Sequence, residues 1–390
     1  MNIIYVGAFR LPNLDAAAPR VLNNAKAFRA LGHEVRFISW GGQYKAEDLC
    51  KDGKYRVCGF EYHISGDLPL DNSIKARILA KLFRGKRSIK ILKTLPNPNL
   101  IITYNADNSF SKRMIKYCKK HSIKLANDIN EWFDNNELHL TDILSNHINM
   151  TYTQHHVMNK IVISRFLYNF YPASNNVLIP PLCDPEEHKW NTFVNDKRIK
   201  PFDGYTLIYA GTPARKDCVH SVINAVNILA NEGKSIRFLI LGITRDAYIN
   251  RYSKSLINTS LHENIIFLGR VPQDLVPAYY KKADFMVLLR EPNRKSMAGF
   301  PTKFAESMIA GVPVITNATS DLPEYVISGE TGFLVDGYDY ESILSTLRIY
   351  VLNMSKVDIE NMKERVRSAS SVFDWHHRTT DFDMFFNNLI

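Results

Sequence analysis

The run Gly299-Phe300-Pro301-Thr302-Lys303-Phe304-Ala305-Glu306 sets a cation and a carboxylate about a turn apart at the start of a helix. Proline suits the first helical turn, where an amide needs no helical partner, so Pro301 or Thr302 can open the helix. The amides around Thr302 to Phe304 then lack helical acceptors. With the helix dipole and the charge of Lys303 they form an anion site. Glu306 lies about one turn further in, on a neighbouring face. An ionised carboxylate only accepts hydrogen bonds, which suits the two hydroxyls of a ribose. A phosphate site one turn from a diol acceptor makes a nucleotide-binding pair. The plain alternative is a surface helix with an ordinary exposed glutamate.

Other segments offer related chemistry. Gly211-Thr212-Pro213-Ala214-Arg215-Lys216-Asp217 follows a buried strand and opens a helix. Gly211 permits close backbone approach, and Arg215 and Lys216 bring charge for a diphosphate; otherwise this is a solvated loop. Gly269-Arg270-Val271-Pro272 turns from another strand into a helix. Near the N-terminus, Gly7 to Arg20 bridges strand and helix. Gly7 allows a tight turn there, and Arg20 sits early in the helix, facing a cleft or solvent. Asp128-Ile129-Asn130-Glu131-Trp132 follows a strand end, so Asp128 and Glu131 either orient substrate hydroxyls or, for Asp128, cap a helix. The pairs His155-His156 and His376-His377 point apart on any regular element and lack carboxylate or cysteine companions, so no metal site is expected.

These residues need elements to hold them. Short apolar strands alternate with amphipathic helices, which argues for parallel α/β sheets. Ile3 to Val6, Glu34 to Ser39, Leu100 to Tyr104, Lys124 to Asp128 and Lys160 to Ile163 read as strands of the first half. Leu207 to Ala210, Arg237 to Leu241, Asn264 to Leu268, Phe285 to Leu289, Val314 to Thr316 and Phe333 to Val335 repeat the pattern in the second. A chain of 390 residues suits two such domains. The expected division is 1–185, a linker over 186–203 rich in proline and charge, 204–374, and a terminal helix over 375–390. Ligands in such folds bind beyond the carboxyl ends of the strands.

The formal net charge is +10, and much of it is local. Between Ile74 and Leu95 stand eight basic residues and no acidic one: Lys75, Arg77, Lys81, Arg84, Lys86, Arg87, Lys90 and Lys93. Ile74, Ile78, Leu79, Leu82 and Phe83 recur among them at helical spacing. Such a segment either lies on an anionic membrane surface or packs on a core with a solvated basic back. Nucleic acid is not expected, because no aromatic platform or reader motif accompanies the charge. Five scattered cysteines suggest reduced thiols. No basic start with a long apolar run suggests a leader, and no apolar run is long enough to span a bilayer, so a cytoplasmic protein is expected.

The stretch from Gly299 to Ile315 resembles the donor-site signature of retaining glycosyltransferases of the GT-B fold, of the large family-4 type, and most of all a bacterial surface-polysaccharide group with a Pro-Thr-Lys turn. Glu306 matches the second glutamate of that signature, while Ala298 stands at the first and Pro301 at its usual glycine. The resemblance implies two doubly wound Rossmann-like domains with an interdomain cleft and a terminal helix crossing back to the first. It implies transfer, with retention, from a nucleotide diphosphate sugar to a glycan or lipid-linked hydroxyl acceptor at the inner membrane face. Lys216 matches the lysine that neutralises the donor diphosphate, and Thr212 replaces the arginine after the glycine, a role Arg215 can take. Gly7, Gly211, Gly269, Val271, Gly299, Phe300, Pro301, Thr302, Lys303 and Glu306 become donor contacts. Lys216, Arg215, Asp128, Glu131 and Arg20 become candidate catalytic groups. Cationic leaving-group stabilisation can replace a metal, so no cofactor is implied. A GT-B nucleotide-sugar epimerase and a non-catalytic sugar-nucleotide binder remain open alternatives.

Overall fold

Uninterrupted apolar runs dominate the central strands, as in parallel sheets covered on both faces. In the computed structural model, which describes residues 1–69, 73–135, 140–214 and 216–390, Ile3, Ile4, Tyr5 and Val6 are all fully buried. The chain divides into two compact units. The first comprises Met1–Cys183, Ala298–Phe300 and Trp375–Ile390, and the second Asp184–Met297 and Pro301–Asp374.

The first unit holds β1 (Asn2–Leu11), β2 (Glu34–Gly42), β3 (Arg56–Val57), β4 (Phe60–Ile64), β5 (Leu100–Tyr104), β6 (Lys124–Ile129), β7 (Asn159–Val162) and β8 (Asn175–Leu178). Their order is β3-β4-β2-β1-β5-β6-β7-β8, parallel except for the β3–β4 pair. The strand order reverses between β1 and β5. β3, β4 and β8 were not expected from sequence. Their runs are short or carry Glu61, His63, Asn175 and Asn176, which break the apolar signal, and β3 and β8 are edge strands.

The tight turn expected at Gly7 is absent, because β1 continues through it to Leu11 with a register shift before Arg10. A Cβ on Gly7 would lie 2.4 Å from the Tyr104 carbonyl oxygen, so the β1–β5 pairing itself requires glycine. Leu11 then leads into the helix Ala17–Ala30, which Gly32 ends with a positive φ of 79°. Phe28 of this helix meets the edges of Phe382 and Phe386 from the terminal helix Thr379–Asn387, with ring centroids 4.7 and 5.0 Å apart. The terminal helix thus packs into the first unit's own core.

The second unit holds β9 (Tyr205–Ala210), β10 (Ile236–Leu241), β11 (Ile265–Gly269), β12 (Phe285–Leu288), β13 (Val314–Asn317) and β14 (Gly332–Val335). All are parallel, in the order β11-β10-β9-β12-β13-β14. The order reverses between β9 and β12, which is where doubly wound sheets open a ligand crevice. Both units are therefore Rossmann-like α/β sheets.

The segment Ile74 to Leu95 forms two helices, Ile74–Phe83 and Lys86–Leu92, broken at Gly85 with φ 84°. Ser73 caps the first by accepting from the Ala76 amide at 3.2 Å. The apolar residues of the first helix do not face a core: Ile78, Leu79, Leu82 and Phe83 are 44–59% exposed. The side chains of Ile74, Lys75 and Arg77 lie outside what the structure describes.

Candidate functional site

Lys303 meets the end of β9 and the loop that follows it. The helix Thr302–Ile309 starts after Pro301, whose extended backbone (φ −76°, ψ 114°) supplies the turn. The Phe304 amide donates to the Pro301 carbonyl at 3.0 Å, so it is not a free anion ligand as the sequence suggested. The amides of Thr302 and Lys303 have no acceptor among the described residues. The free donors of this helix are thus its first two amides.

Lys303 extends to the end of β9. Its Nζ donates to the Tyr209 hydroxyl at 2.7 Å and to Asp217 Oδ2 at 3.3 Å, and lies 4.1 Å from the Tyr209 ring centroid. Tyr209 in turn donates to Asp217 at 2.7 Å. Arg290, just past the end of β12, donates from Nε to Asp217 Oδ1 at 2.9 Å. Burial alone would raise the Asp217 carboxyl, but Lys303 and Arg290 hold it well below the usual carboxylate range. Burial lowers the Lys303 ammonium against the opposing pull of Asp217.

The loop after β9 fits this cluster closely. A Cβ on Gly211 would lie 3.3 Å from Lys303 Nζ. A Cβ on Gly242, past the end of β10, would come within 2.4 Å of the Gly211 carbonyl carbon. Two loops and a lysine therefore meet closely, with no room for a side chain at Gly242 and a tight fit against Lys303 at Gly211. Lys216 is half-buried and adds to the field that depresses Asp217. Arg215 lies outside the described residues.

Glu306 is half-buried one turn on, and no hydrogen-bond donor among the described residues reaches its carboxylate. Burial raises its carboxyl, while Lys189 and Lys303 pull it down. Gly269 ends β11 with φ 69°, and its carbonyl accepts from the Gly242 amide at 2.7 Å; Val271 follows, half-buried. Gly299 and Phe300 group with the first unit, where the preceding Ala298 is fully buried and its carbonyl accepts from Ser164 Oγ at 2.7 Å.

In the first unit the structure corrects two assignments. Arg20 faces neither cleft nor solvent. It is buried, and its guanidinium grips Asp128 at 2.9 Å from Nη2 while Nη1 donates to the carbonyls of Ile179 and Pro180 at 3.0 and 3.2 Å. Asp128 caps no helix. It is fully buried and also accepts from Tyr5, Asn24 and Asn130. Each group is consumed by the other and by the backbone, so neither presents a free polar atom to a substrate. Glu131 is different: it is half-buried and lines a cavity of about 220 Å³ with Asn105, Asp107, Asn149 and Gln154.

Asp217, Tyr209, Arg290 and Asn317 complete the site and escaped sequence reasoning. Asp217 and Arg290 are 73 positions apart and meet where β9 and β12 pair and an isolated bridge joins the two residues. The usable signal was an acidic residue directly after Lys216 and an arginine at the end of an apolar strand. Among the described residues no group of three His, Cys, Asp or Glu is placed to hold a metal ion. The run Asp381-Phe382-Asp383 sits on the terminal helix, where Asp381 pairs with Arg378 at 3.0 Å and Asp383 accepts from Asn387 at 3.3 Å.

The site falls within known sequence territory. Residues 193–368 match the family model for glycosyl transferases group 1. The chain is 28% identical over 165 residues to the putative colanic acid biosynthesis glycosyltransferase WcaL of Salmonella typhimurium, covering 42% of this chain and 39% of WcaL. It is 22% identical over 202 residues to the capsular polysaccharide biosynthesis glycosyltransferase CapM of Staphylococcus aureus, covering 51% of this chain and 49% of CapM. The chain thus spans less than half the length of these curated relatives. Sucrose-phosphate synthase from Thermosynechococcus elongatus has the same fold with a TM-score of 0.76 at 16% identity, over 100% of this chain and 98% of that one. Anabaena HepE, solved in complex with UDP and glucose, gives 0.71 at 13% identity over 100% of both chains. The fold is that of the GT-B glycosyltransferases.

Proposed function

We propose that this protein is a glycosyltransferase that moves a sugar from a nucleotide diphosphate sugar to a hydroxyl acceptor, with retention at the sugar carbon. The observation that carries this reading is the Lys303–Asp217–Arg290 cluster beside two free amides, with the unpartnered carboxylate of Glu306 one turn away. The cations and amides take the diphosphate and stabilise its charge as the sugar bond breaks. Glu306 accepts from the ribose hydroxyls. The UDP complexes of HepE and the named roles of WcaL and CapM support a nucleotide-sugar donor and a place in bacterial surface polysaccharide assembly. Retention rests on the signature around Glu306 and proceeds by same-face attack, with no protein nucleophile.

The proposed acceptor is a lipid-linked glycan, met at the cytoplasmic membrane face. Its support is the helix Ile74–Phe83, which exposes four large apolar side chains beside cations. Lys81 and Arg84 contribute less charge than the sequence implied, because they pair with Asp142 and Asp107. Lys86 and Arg87 remain exposed. No helix among the described residues is long and apolar enough to cross a membrane.

The test is incubation of the purified protein with labelled UDP- and GDP-sugars and polyprenyl-phosphate-linked glycans, with and without chelator. Transfer of label in chelator, with the donor's anomeric configuration kept in the product, is expected. Epimerised donor or binding without turnover would replace this reading by one of the two alternatives, and inversion would remove retention alone.

A further inference from the structure

Arg290 stands two residues past β12, at the strand-order reversal of the second unit. Its backbone is clamped on both sides by one side chain: its amide donates to Asn317 Oδ1 at 2.9 Å, and its carbonyl accepts from Asn317 Nδ2 at 2.7 Å. An isolated bridge pairs it with Asp217, and the Cys218 amide donates to the Leu289 carbonyl at 2.8 Å. The residue is 5% exposed. Its Nε is bound to Asp217, yet Nη1 and Nη2 have no hydrogen-bond partner among the described residues. A guanidinium carries five N–H donors and cannot shed its charge. A rigidly seated fork with its outer donors open is the geometry that takes two oxygens of one anion.

Asp217 binds Arg290 with one oxygen and Lys303 and Tyr209 with the other. One carboxylate therefore aims both cations, and the free amides of Thr302 and Lys303 open the same helix that carries Lys303. We propose that Arg290 is a ligand of the donor diphosphate through its two terminal nitrogens, and that Asp217 is the positioning residue that holds it and Lys303 in register. This rests on the nucleotide-sugar reading above and adds a phosphate contact from a residue outside both the Gly211 loop and the Pro-Thr-Lys turn.

The experiment uses the full chain with Arg290→Lys, which keeps the charge that Asp217 needs and removes the fork. The double variant Asp217→Asn/Arg290→Gln, which removes both charges together, serves if the single one unfolds. Affinity is measured by calorimetry for UDP, GDP, ADP and dTDP, and by ligand-observed NMR for the phosphate-free nucleoside of whichever diphosphate binds. The diphosphate should lose about tenfold or more in affinity, with the nucleoside unchanged. An unchanged diphosphate affinity, or equal losses for diphosphate and nucleoside, would overturn the role of Arg290 while leaving the donor reading standing. Wild-type protein that binds none of the four would overturn both.

Discussion

At the scale of single residues, the site joins groups with local signals to groups without any. Lys303 and Glu306 were legible because a helix start and its spacing are written in consecutive residues. Asp217 with Arg290, and Arg20 with Asp128, were not, because sheet pairing and packing bring them together across 73 and 108 positions. Burial also decides roles that residue type leaves open, since Asp128 is saturated while Glu306 has no hydrogen-bond partner among the described residues. Lys303→Gln and Lys216→Ala should each lower kcat/KM about tenfold or more, the cost of one charge-assisted contact. Asp217 keeps Arg290 and Tyr209 in the Lys303 variant, so the protein should stay folded by circular dichroism. Near-wild-type transfer by both variants would remove the phosphate site. Glu306→Gln should weaken binding of the free nucleoside diphosphate. The carboxyl of Glu306 is raised by burial, so its ionised, accepting form fades as pH falls through that raised value. Wild-type affinity should therefore drop toward acid more steeply than the Gln variant's, since protonation of the ligand's own terminal phosphate lowers both alike, as followed by calorimetry across pH. Parallel pH profiles would make Glu306 a helix residue with no part in binding.

At the scale of elements, the predicted strands matched within two residues, because buried parallel strands are continuous apolar runs, except that β1 and β2 run on to Leu11 and Gly42. The edge strands β3 and β8 of the first sheet, and β4 beside β3, escaped because their runs are short or carry polar residues. The Ile74 to Leu95 segment shows a different limit. Helical spacing revealed an apolar stripe but could not say what covers it. In the structure Ile78, Leu79, Leu82 and Phe83 stay exposed, Lys86 lies 4.5 Å from the Phe83 ring centroid, and Lys81 is tied to Asp142. On an anionic bilayer, apolar insertion of this helix would outweigh charge: burying one such side chain contributes about 1.5–3 kcal/mol, against about 1 kcal/mol for each basic residue near an anionic surface. Leu82→Ser/Phe83→Ser should abolish flotation with anionic liposomes. Lys86→Glu/Arg87→Glu should weaken flotation only in part, and salt should weaken the wild type by screening. A serine variant that floats like wild type would show that this helix does not enter the bilayer.

At the scale of the whole chain, the first unit is built from three separate stretches, Met1–Cys183, Ala298–Phe300 and Trp375–Ile390. Phe382, Phe385, Phe386 and Leu389 at helical spacing mark an apolar stripe that needs a core, while the return of this helix to the first domain was implied only by the family resemblance. The placement of Ala298–Phe300 was not visible, because three residues carry no periodicity. The returning segment is tied by more than rings. Asn159 Nδ2 donates to the Ile390 carbonyl at 3.1 Å and its Oδ1 accepts from the Ile390 amide at 2.9 Å. Asn175 Nδ2 donates to the Phe385 carbonyl at 3.1 Å, and Lys124 reaches the Leu389 carbonyl at 2.7 Å. Three strands of the sheet, β6, β7 and β8, therefore hold the last turn of the chain. Phe382 is fully buried against Phe28, so Phe382→Ala leaves a cavity that this anchored helix cannot easily collapse. The expected loss is about 3–5 kcal/mol, read as a lowered transition in calorimetry. Nucleoside diphosphate affinity below that transition should not change, because the proposed ligands Lys303, Arg290, Lys216 and Glu306 all belong to the second unit. A variant with wild-type melting would show that the terminal helix is an appendage rather than part of the first unit's core, and one with normal melting but lost nucleotide affinity would move the donor site away from the second unit.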